Sequence, residues 1–296
     1  MEITQSEKFL PQITCELKTC IEKIIEEYEE KYNIHIFYAS DTGSRVNGVA
    51  VQSSDFDANG FFIPDYKEYL KVISKYQTII SRQGIQFKLG DENFEVDILF
   101  WDIKDWLREK IEKNNQGFDY VIFSPLIYRN RHPELIDKIK MNIDPPFYYF
   151  WGKLKNNLDL CYKEIKKEGV QNKKIMNTLI YCANYLYCRI FEKFPDFNIF
   201  KLIEKFDSQR EYLKTLLSEE ELENLFKCFS FIEDCYEEKK KGRKSIRKDI
   251  PEIVMNLNNL LDRKFNGKKE KLTIINKWDA EMAQKLFDDL LAIYRK

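Results

Sequence analysis

Histidine is scarce in this sequence, and cysteine is scattered. The two histidines, His35 and His132, stand far apart in the chain. Ser-His-Asp triads and histidine-rich zinc sites place an imidazole beside other catalytic or ligating groups, so both kinds of site are poorly supported. The seven cysteines form no Cys-x-x-Cys pair and lie along helical patterns, which is typical of buried thiols in a reducing compartment. The chemistry of this protein therefore has to come from other side chains.

Long apolar runs are also missing. The best candidate for a membrane span, 178–191, is shorter than the ~18 apolar residues that a span requires, and it contains Arg189. The N-terminal segment 1–18 lacks the basic start and apolar stretch of a secretory signal. We therefore expect a cytoplasmic protein that does not enter a membrane.

Neither sign of charge dominates. Lysine and arginine number 48 against 49 acidic residues in a chain of 296, which excludes a generally basic, nucleic-acid-coating surface. One strongly basic stretch, KKKGRKSIRK at 239–248, is either a contact for a nucleic-acid backbone or a solvated loop. Glycine and proline are few, and 44% of the residues are apolar, so the composition indicates one large or two ordinary globular domains.

The first half of the chain mixes helical and strand patterns. Apolar residues recur at helical spacing between about Ser6 and Tyr32, so one buried stripe is expected there. Strands are expected at 34–40 and 56–63, and a hairpin at 84–89 and 93–101. Helices are expected at 65–76 and 102–114.

Strand patterns fade after about Met141. Helical periodicity then runs through 147–167, 173–194, 198–206, 209–217, 219–241, 248–264 and 276–294. The consecutive prolines at 145–146 mark a natural seam, because a helix does not continue through them. The sequence therefore predicts an α+β protein: a head with a small mixed β-sheet and helices, 1–143, followed by an all-helical C-terminal domain, 144–296.

Three acidic residues and one turn are the candidate catalytic and binding features of the sequence. Asp55 and Asp57 enter the second strand two residues apart, so both point to one face, and Asp97 adds a third carboxylate from a neighbouring strand. Such a cluster requires either a compensating cation or raised pKa values of the carboxyl groups. If the cation is a metal, oxygen-only ligation suits two Mg²⁺ or Mn²⁺ ions. Gly43 and Ser44 directly follow a strand, where backbone amides and a hydroxyl can bind a phosphate.

The reaction that this set implies is nucleotidyl transfer. A hydroxyl attacks the α-phosphate of a nucleoside triphosphate, and pyrophosphate leaves. Taken singly, a Gly-Ser pair is more often an ordinary turn, and Ser-Asp-Phe-Asp is more often a cap or turn sequence. Asp97 stands within an apolar strand, where an unpaired carboxylate is costly, although it could equally occupy a solvated face beside Glu95. The order and spacing of the three features favour the functional interpretation.

These residues resemble a known family. The string GSR-x2-G-x5-SDFD at 43–57 resembles the signature of the polymerase-beta nucleotidyltransferase superfamily, and within it the predicted nucleotidyltransferase family assigned to an RNA repair pathway. The resemblance continues through FEVDILFWDIKDWL at 94–107, FSPLIYR at 123–129 and the lysine-initiated helix at 173–195, and it spans about 34–205. The chain departs from the family pattern where Ile180 replaces an arginine and Tyr120-Val121 replaces an acidic-Trp pair.

The resemblance implies a role for each matching residue. Asp55 and Asp57 match the metal-binding pair, and Asp97 matches the carboxylate that also binds metal and orients the attacking hydroxyl. Gly43 and Ser44 match the triphosphate-binding turn, and Arg45 is a candidate phosphate contact.

Several residues of the helical domain are further candidates for nucleotide contact. Lys153 and Lys174 are candidate phosphate contacts, although most lysines on helix surfaces are not. The aromatic run at 147–151 could stack on a base, but helix packing is the favoured interpretation.

The sequence therefore predicts a metal-dependent nucleotidyltransferase. Its substrates are an NTP, ATP among them, and a hydroxyl acceptor for which the resemblance favours an RNA end. The acceptor could instead be a protein or a small molecule, and a third hypothesis is a nucleotide- or RNA-binding module without turnover. The oligomeric state stays open.

Overall fold

In a computed structural model of the chain, the structure describes residues 13–71, 76–113, 115–243, 245–248, 254–256, 259, 261 and 279–295. The start of the predicted first helix, the end of the helix predicted at 65–76, most of the helix predicted at 248–264 and the start of the helix predicted at 276–294 lie outside these residues. The chain divides into two compact units, Met1–Asp144 with Ile275–Lys296, and Pro145–Ile274.

The first unit is built on a five-stranded mixed sheet with the strand order β3-β4-β2-β1-β5. Its strands are β1 (Ile34–Asp41), β2 (Phe56–Pro64), β3 (Ile79–Leu89), β4 (Glu92–Asp102) and β5 (Ile127–Asn130). The neighbours β2 and β4 run parallel, and the other neighbouring pairs run antiparallel. This arrangement confirms the predicted α+β class with a mixed sheet.

The described residues of the chain up to Asp144 form five helices beside these strands. They are α1 (Cys15–Tyr32), α2 (Tyr66–Leu70), α3 (Ile103–Lys113), α4 (Asp119–Phe123) and α5 (Pro133–Met141). The Thr14 side chain caps α1 by accepting from the Leu17 amide at 3.2 Å. The buried stripe of α1, Ile21, Ile24 and Ile25, joins the core on one face of the sheet. Burial of this stripe fixes α1 against the strands that carry the candidate site.

Helices dominate the second unit. The helices whose full extent is described are α6 (Phe147–Ile165), α7 (Asn172–Phe191), α8 (Ile199–Ser208), α9 (Arg210–Leu216) and α10 (Glu219–Lys240). Helix α7 is buried along most of its length and contacts both α6 and α10. A two-residue ladder joins β6 (Val170–Gln171) to β7 (Ile246–Arg247), and the sequence pattern did not predict it because two residues are too short to show a period.

A last helix, α11 (Ala280–Tyr294), returns to the first unit. Its Tyr294 ring stacks on His35 at 4.9 Å, and the Tyr294 hydroxyl lies 2.8 Å from His132 Nε2. The ring of Phe287 lies 5.4 Å from that of Tyr69. The predicted boundaries, 1–143 and 144–296, place this helix in the other domain. Within the described residues, no helix has the length and apolarity for a membrane crossing.

Candidate active site

Two of the predicted carboxylates lie side by side in the sheet. Asp57 of β2 and Asp97 of β4 are direct partners in the parallel register. Partners of this kind project from the same face, and neighbouring strands are ~4.8 Å apart. Both side chains are partly exposed, whereas the flanking Val96 and Ile98 are buried on the opposite face. The face opposite the α1 core therefore carries an adjacent pair of carboxylates.

Asp55 lies in the segment that enters β2, two residues before Asp57 in the chain. A tight turn precedes it, in which the Ser54 hydroxyl accepts from the Val51 amide at 2.9 Å and the Ser54 amide donates to the Val51 carbonyl at 2.9 Å. Asp55 is partly exposed and interacts electrostatically with the guanidinium of Arg45. The turn therefore fixes the backbone just before this third predicted carboxylate.

The donor set at this face consists of carboxylate oxygens. Among the described residues, no group of three or more His, Cys, Asp or Glu side chains is gathered as for a complete metal site. Mg²⁺ in phosphoryl-transfer sites takes one or two protein carboxylates and completes its shell with substrate phosphates and water. The pair of Asp57 and Asp97 fits a hard divalent ion of that kind, and the metal-binding role predicted for Asp55 stays a prediction.

The predicted glycine-serine turn lies directly against Asp57. The Thr42 amide donates to the Asp57 carbonyl at 3.2 Å, which ties the start of the turn to β2. The chain then coils through residues 43–49, where the Asn47 amide donates to the Gly43 carbonyl at 3.2 Å. A methyl group on Gly43 would overlap the Asp57 carboxylate, so this close approach requires glycine.

The Ser44 hydroxyl forms no hydrogen bond with any described residue. Its Oγ is buried and lacks a hydrogen-bond partner. Buried polar atoms without a partner are rare in folded proteins, and leaving one unbonded costs stability. A hydroxyl of this kind, one residue from the glycine that touches Asp57, is a candidate donor to a phosphate oxygen.

Arg45, the residue after Ser44 in the turn, has 6% of its surface exposed. One terminal nitrogen donates to the Ser54 carbonyl at 2.6 Å, and the guanidinium carbon lies 3.7 Å from the centre of the Phe56 ring. Burial lowers the pKa of Arg45, while nearby carboxylates, including Asp55 and Asp57, oppose that shift. Its charge therefore compensates the acidic site from inside the protein, and the phosphate contact predicted for it stays a prediction.

Asp41, which was not among the predicted site residues, joins the turn to β2. Its carboxylate is fully buried and accepts from the Gly43 amide at 3.0 Å, the Asp57 amide at 3.3 Å and the Tyr128 hydroxyl at 2.6 Å. Burial raises the pKa of Asp41, and these hydrogen bonds act in the opposite direction. The signal in the sequence was a carboxylate at the end of an apolar strand, two residues before the glycine of the turn.

A β-bulge in the edge strand orients Asp97. The pairing of β3 with β4 shifts between Arg82 and Ile85, and Gly84 within this bulge has φ 69°. The Gly84 amide donates to Asp97 Oδ1 at 2.8 Å. The predicted hairpin strand began at this glycine, whereas β3 begins at Ile79. A glycine within a longer strand would have indicated the bulge.

The two predicted lysines lie in the second unit. Lys153 is exposed on α6, and its Nζ lies 5.5 Å from the centre of the Tyr149 ring. Lys174, near the start of α7, forms an ion pair with Glu164. The roles of both lysines in nucleotide binding stay predictions.

Two other stretches of the second unit are engaged in its packing. In the aromatic run at 147–151, Phe150 is buried and the Trp151 ring lies 5.0 Å from that of Tyr185. In the basic stretch at 239–248, Arg247 Nε donates to Asn172 Oδ1 at 2.8 Å. Contacts within the second unit thus account for part of both stretches.

The sequence pattern of the RNA repair pathway DNA polymerase beta family matches residues 17–179. This range includes Gly43, Ser44 and the three predicted aspartates. A solved structure of a nucleotidyltransferase-like protein from Exiguobacterium sibiricum 255-15 is 12% identical in sequence to this chain. The alignment covers 93% of this chain and 89% of that protein's chain. Its TM-score is 0.26, which is too low to indicate a shared fold. None of the curated proteins is similar enough to count as a relative.

The family match covers more than half of the chain and both parts of the candidate site. It therefore confirms the resemblance found in the residues, and the family is one of nucleotidyltransferases. On this evidence, the chain belongs to the RNA repair pathway DNA polymerase beta family.

Proposed function

We propose that this protein is a divalent-metal-dependent nucleotidyltransferase that transfers a nucleoside monophosphate from an NTP to a hydroxyl, with an RNA end as the acceptor. The observation that carries the proposal is the register of Asp57 with Asp97, together with the glycine turn that touches the Asp57 carboxylate. This arrangement combines acidic oxygens for cations with backbone and hydroxyl donors for a polyphosphate.

Different residues bind the triphosphate and the cations. Gly43 lets the backbone approach the triphosphate, and the Ser44 hydroxyl donates to one of its oxygens. Asp55, Asp57 and Asp97 would hold the two cations. When bound, Mg²⁺ or Mn²⁺ neutralises charge on the phosphates and makes the attacking hydroxyl more acidic.

The chemical step is an in-line displacement at the α-phosphorus. The acceptor oxygen forms a bond to that phosphorus, the bond to the bridging oxygen breaks, and pyrophosphate carries away the electron pair. Asp97 orients the acceptor hydroxyl, whose proton passes to a carboxylate or to water. Because Gly84 holds Asp97 Oδ1, the direction of the other carboxylate oxygen is also set.

Two observations support RNA as the acceptor. The name of the family refers to RNA repair, and the stretch 239–248 contains seven basic residues among ten. A basic segment gains affinity for a polyanion by releasing counterions from the phosphate backbone. The seven free cysteines agree with action in a reducing compartment, for which we propose the cytoplasm.

The test is incubation of the full chain with each α-labelled NTP, Mg²⁺ or Mn²⁺ and total cellular RNA. We expect label on RNA and an equal release of pyrophosphate, both abolished by chelation of the metal. The variant Asp97→Ala should transfer no label, and circular dichroism should show that it is folded.

Other distributions of label would identify a different acceptor or contradict the proposal. Label on polypeptide, or on a small molecule in a cell extract, would replace RNA and leave the chemistry in place. Calorimetric binding of NTP and Mg²⁺ without any pyrophosphate release would indicate a binding module and would contradict the proposed reaction.

A further inference from the structure

One buried carboxylate holds both halves of the candidate site. Asp41 Oδ1 accepts from the Gly43 amide at 3.0 Å, and Asp41 Oδ2 accepts from the Asp57 amide at 3.3 Å. Gly43 belongs to the turn assigned to the triphosphate, and Asp57 belongs to the pair assigned to the cations. A single side chain therefore sets the spacing between the two.

Asp41 is itself fixed from a third strand. The Tyr128 hydroxyl of β5 donates to Asp41 Oδ2 at 2.6 Å, and the Asp41 amide donates to the Leu126 carbonyl at 2.8 Å. The Ser124 hydroxyl donates to the Asp41 carbonyl. All of these groups surround a residue with no exposed surface, so the carboxylate has little freedom to move.

We propose that Asp41 is a positioning residue for nucleotidyl transfer, which fixes the Asp57 amide relative to the Gly43 turn and is held in place by Tyr128. This inference rests on the proposed function. Asp41 touches neither substrate nor cation in it, and acts through the backbone of Gly43 and Asp57. Displacement of a reacting group by 1 Å costs on the order of 100-fold in rate, so such a residue is expected to affect turnover.

The variant Asp41→Asn separates the two contacts. It replaces one acceptor oxygen with an NH₂ group, which faces either the Gly43 amide or the Asp57 amide. The longer contact, to Asp57, relaxes more readily, and the Tyr128 hydroxyl can turn to accept from the new NH₂. We therefore expect the Gly43 bond to persist and the Asp57 bond to be lost.

The expected result is a loss of turnover with little change in nucleotide affinity. For Asp41→Asn, kcat should fall about 100-fold, while KM for the NTP changes by less than about threefold. Hydrogen exchange of the Asp57 amide should accelerate, because its acceptor is gone. This exchange rate shows whether the Asp57 amide is still hydrogen-bonded to residue 41, with or without bound substrate.

Asp102 offers a matched control in the same unit. It is also fully buried, and it accepts from the Tyr69 hydroxyl at 2.6 Å, the Tyr76 hydroxyl at 2.7 Å and the Lys104 amide at 2.8 Å. It lies five residues beyond Asp97 along β4, which corresponds to about 16 Å. Asp102→Asn therefore changes a comparable buried carboxyl group, and its kcat should stay within about threefold of the unmodified protein.

A second pair of variants tests the proposal if Asp41→Asn does not fold. Tyr128→Phe removes the hydroxyl that holds Asp41, and Tyr69→Phe removes the corresponding hydroxyl from Asp102. We expect Tyr128→Phe to lower kcat by about tenfold and to accelerate exchange of the Asp57 amide, whereas Tyr69→Phe changes neither.

The outcomes distinguish this inference from the proposed function. Equal losses of kcat in the Asp41 and Asp102 variants, or unchanged exchange of the Asp57 amide, would overturn the positioning role while transfer itself stands. If the unmodified protein transfers no nucleotide to any acceptor, the proposed function is wrong and the role of Asp41 in it is wrong with it.

Discussion

Asp57 and Asp97 face each other across the parallel strands β2 and β4. Like charges in directly opposed positions repel, so this pair weakens the sheet unless a cation lies between them. The Asp57 carboxylate lies against the turn at Gly43, and Asp97 Oδ1 accepts from the Gly84 amide of the β3 bulge. The opposed pair is thus a costly feature, and costly local features are typical of functional sites.

Neutralising either member of this pair should separate activity from stability. For Asp57→Asn and Asp97→Asn, we expect nucleotide transfer to fall by about 1000-fold or more because a cation ligand is lost. The free energy of unfolding without metal should rise by ~0.2–1 kcal/mol because the repulsion is removed. Thermal melts with and without Mg²⁺ check this, since Mg²⁺ should stabilise the unmodified protein and not the variants.

Asp91, exposed in the turn between β3 and β4, provides the control for that experiment. Asp91→Asn removes the same charge from the same hairpin and should change neither transfer nor the response to Mg²⁺. Full transfer activity in both Asp57→Asn and Asp97→Asn would contradict the assignment of the pair.

Gly43→Ala tests the close approach of the turn to Asp57. The added methyl group would overlap the Asp57 carboxylate, so either the turn or the carboxylate has to shift. We expect kcat/KM for the NTP to fall by about 100-fold or more. Gly152→Ala is the matched substitution, because its methyl group meets open space in α6 and should stabilise the helix by up to ~1 kcal/mol. Equal activity of the two variants would show that the turn does not need a glycine.

Gly84→Ala tests the bulge that orients Asp97. The nearest atom to the added methyl group is Glu95 Oε1 at 3.9 Å, so the cost arises from the backbone at φ 69° and is ~1–2 kcal/mol. Strain at this position moves the amide that Asp97 accepts from, and we expect kcat to fall by about tenfold.

Gly90 allows backbone strain to be separated from this contact. It lies in the turn of the same hairpin with φ 60° and open space around it, so Gly90→Ala imposes a similar strain away from Asp97. Both variants should lose comparable stability in urea melts, while only Gly84→Ala loses turnover. A matching loss of turnover in Gly90→Ala would argue against the role of the bulge.

The buried ion pair of Lys110 and Asp119 predicts a pH dependence of stability. Burial raises the pKa of Asp119 to about 6 from 3.8, and Lys110 opposes part of that shift. Between these two values the folded state binds more protons than the unfolded state, so the contribution of Asp119 to the free energy of unfolding falls as the pH rises.

The double variant Lys110→Met/Asp119→Leu removes both charges and with them this contribution. Urea melts from pH 4 to pH 7 should therefore show that the stability of the unmodified protein declines relative to the double variant as the pH rises to about 6. Parallel curves would contradict the raised pKa of Asp119.

Local patterns in the sequence predicted four of the five strands of the sheet, β1 to β4, but not β5 or the strand order. The hairpin β3-β4 was predicted from turn residues between two alternating runs, and the alternation placed Asp97 on the face opposite Val96. These features depend on residues close together in the chain, where periodicity carries the information.

Contacts between distant segments could not be predicted in the same way. The bond from Tyr128 to Asp41 joins residues 87 positions apart, and no local pattern indicates that β5 pairs with β1. The helical period of 276–294 predicted a helix there, but a period does not reveal which unit the helix contacts. Such contacts depend on how the elements pack, and packing is a property of the whole fold.

The return of α11 to the first unit has a consequence for synthesis in the cell. The whole second unit, Pro145–Ile274, is translated before α11. During that time Tyr69 lacks its contact with Phe287, and His35 lacks its contact with Tyr294. Until then the surface that α11 covers stays open to water and to other chains. A ribosome that stalls within the second unit would release an N-terminal portion whose aromatic side chains lack this cover.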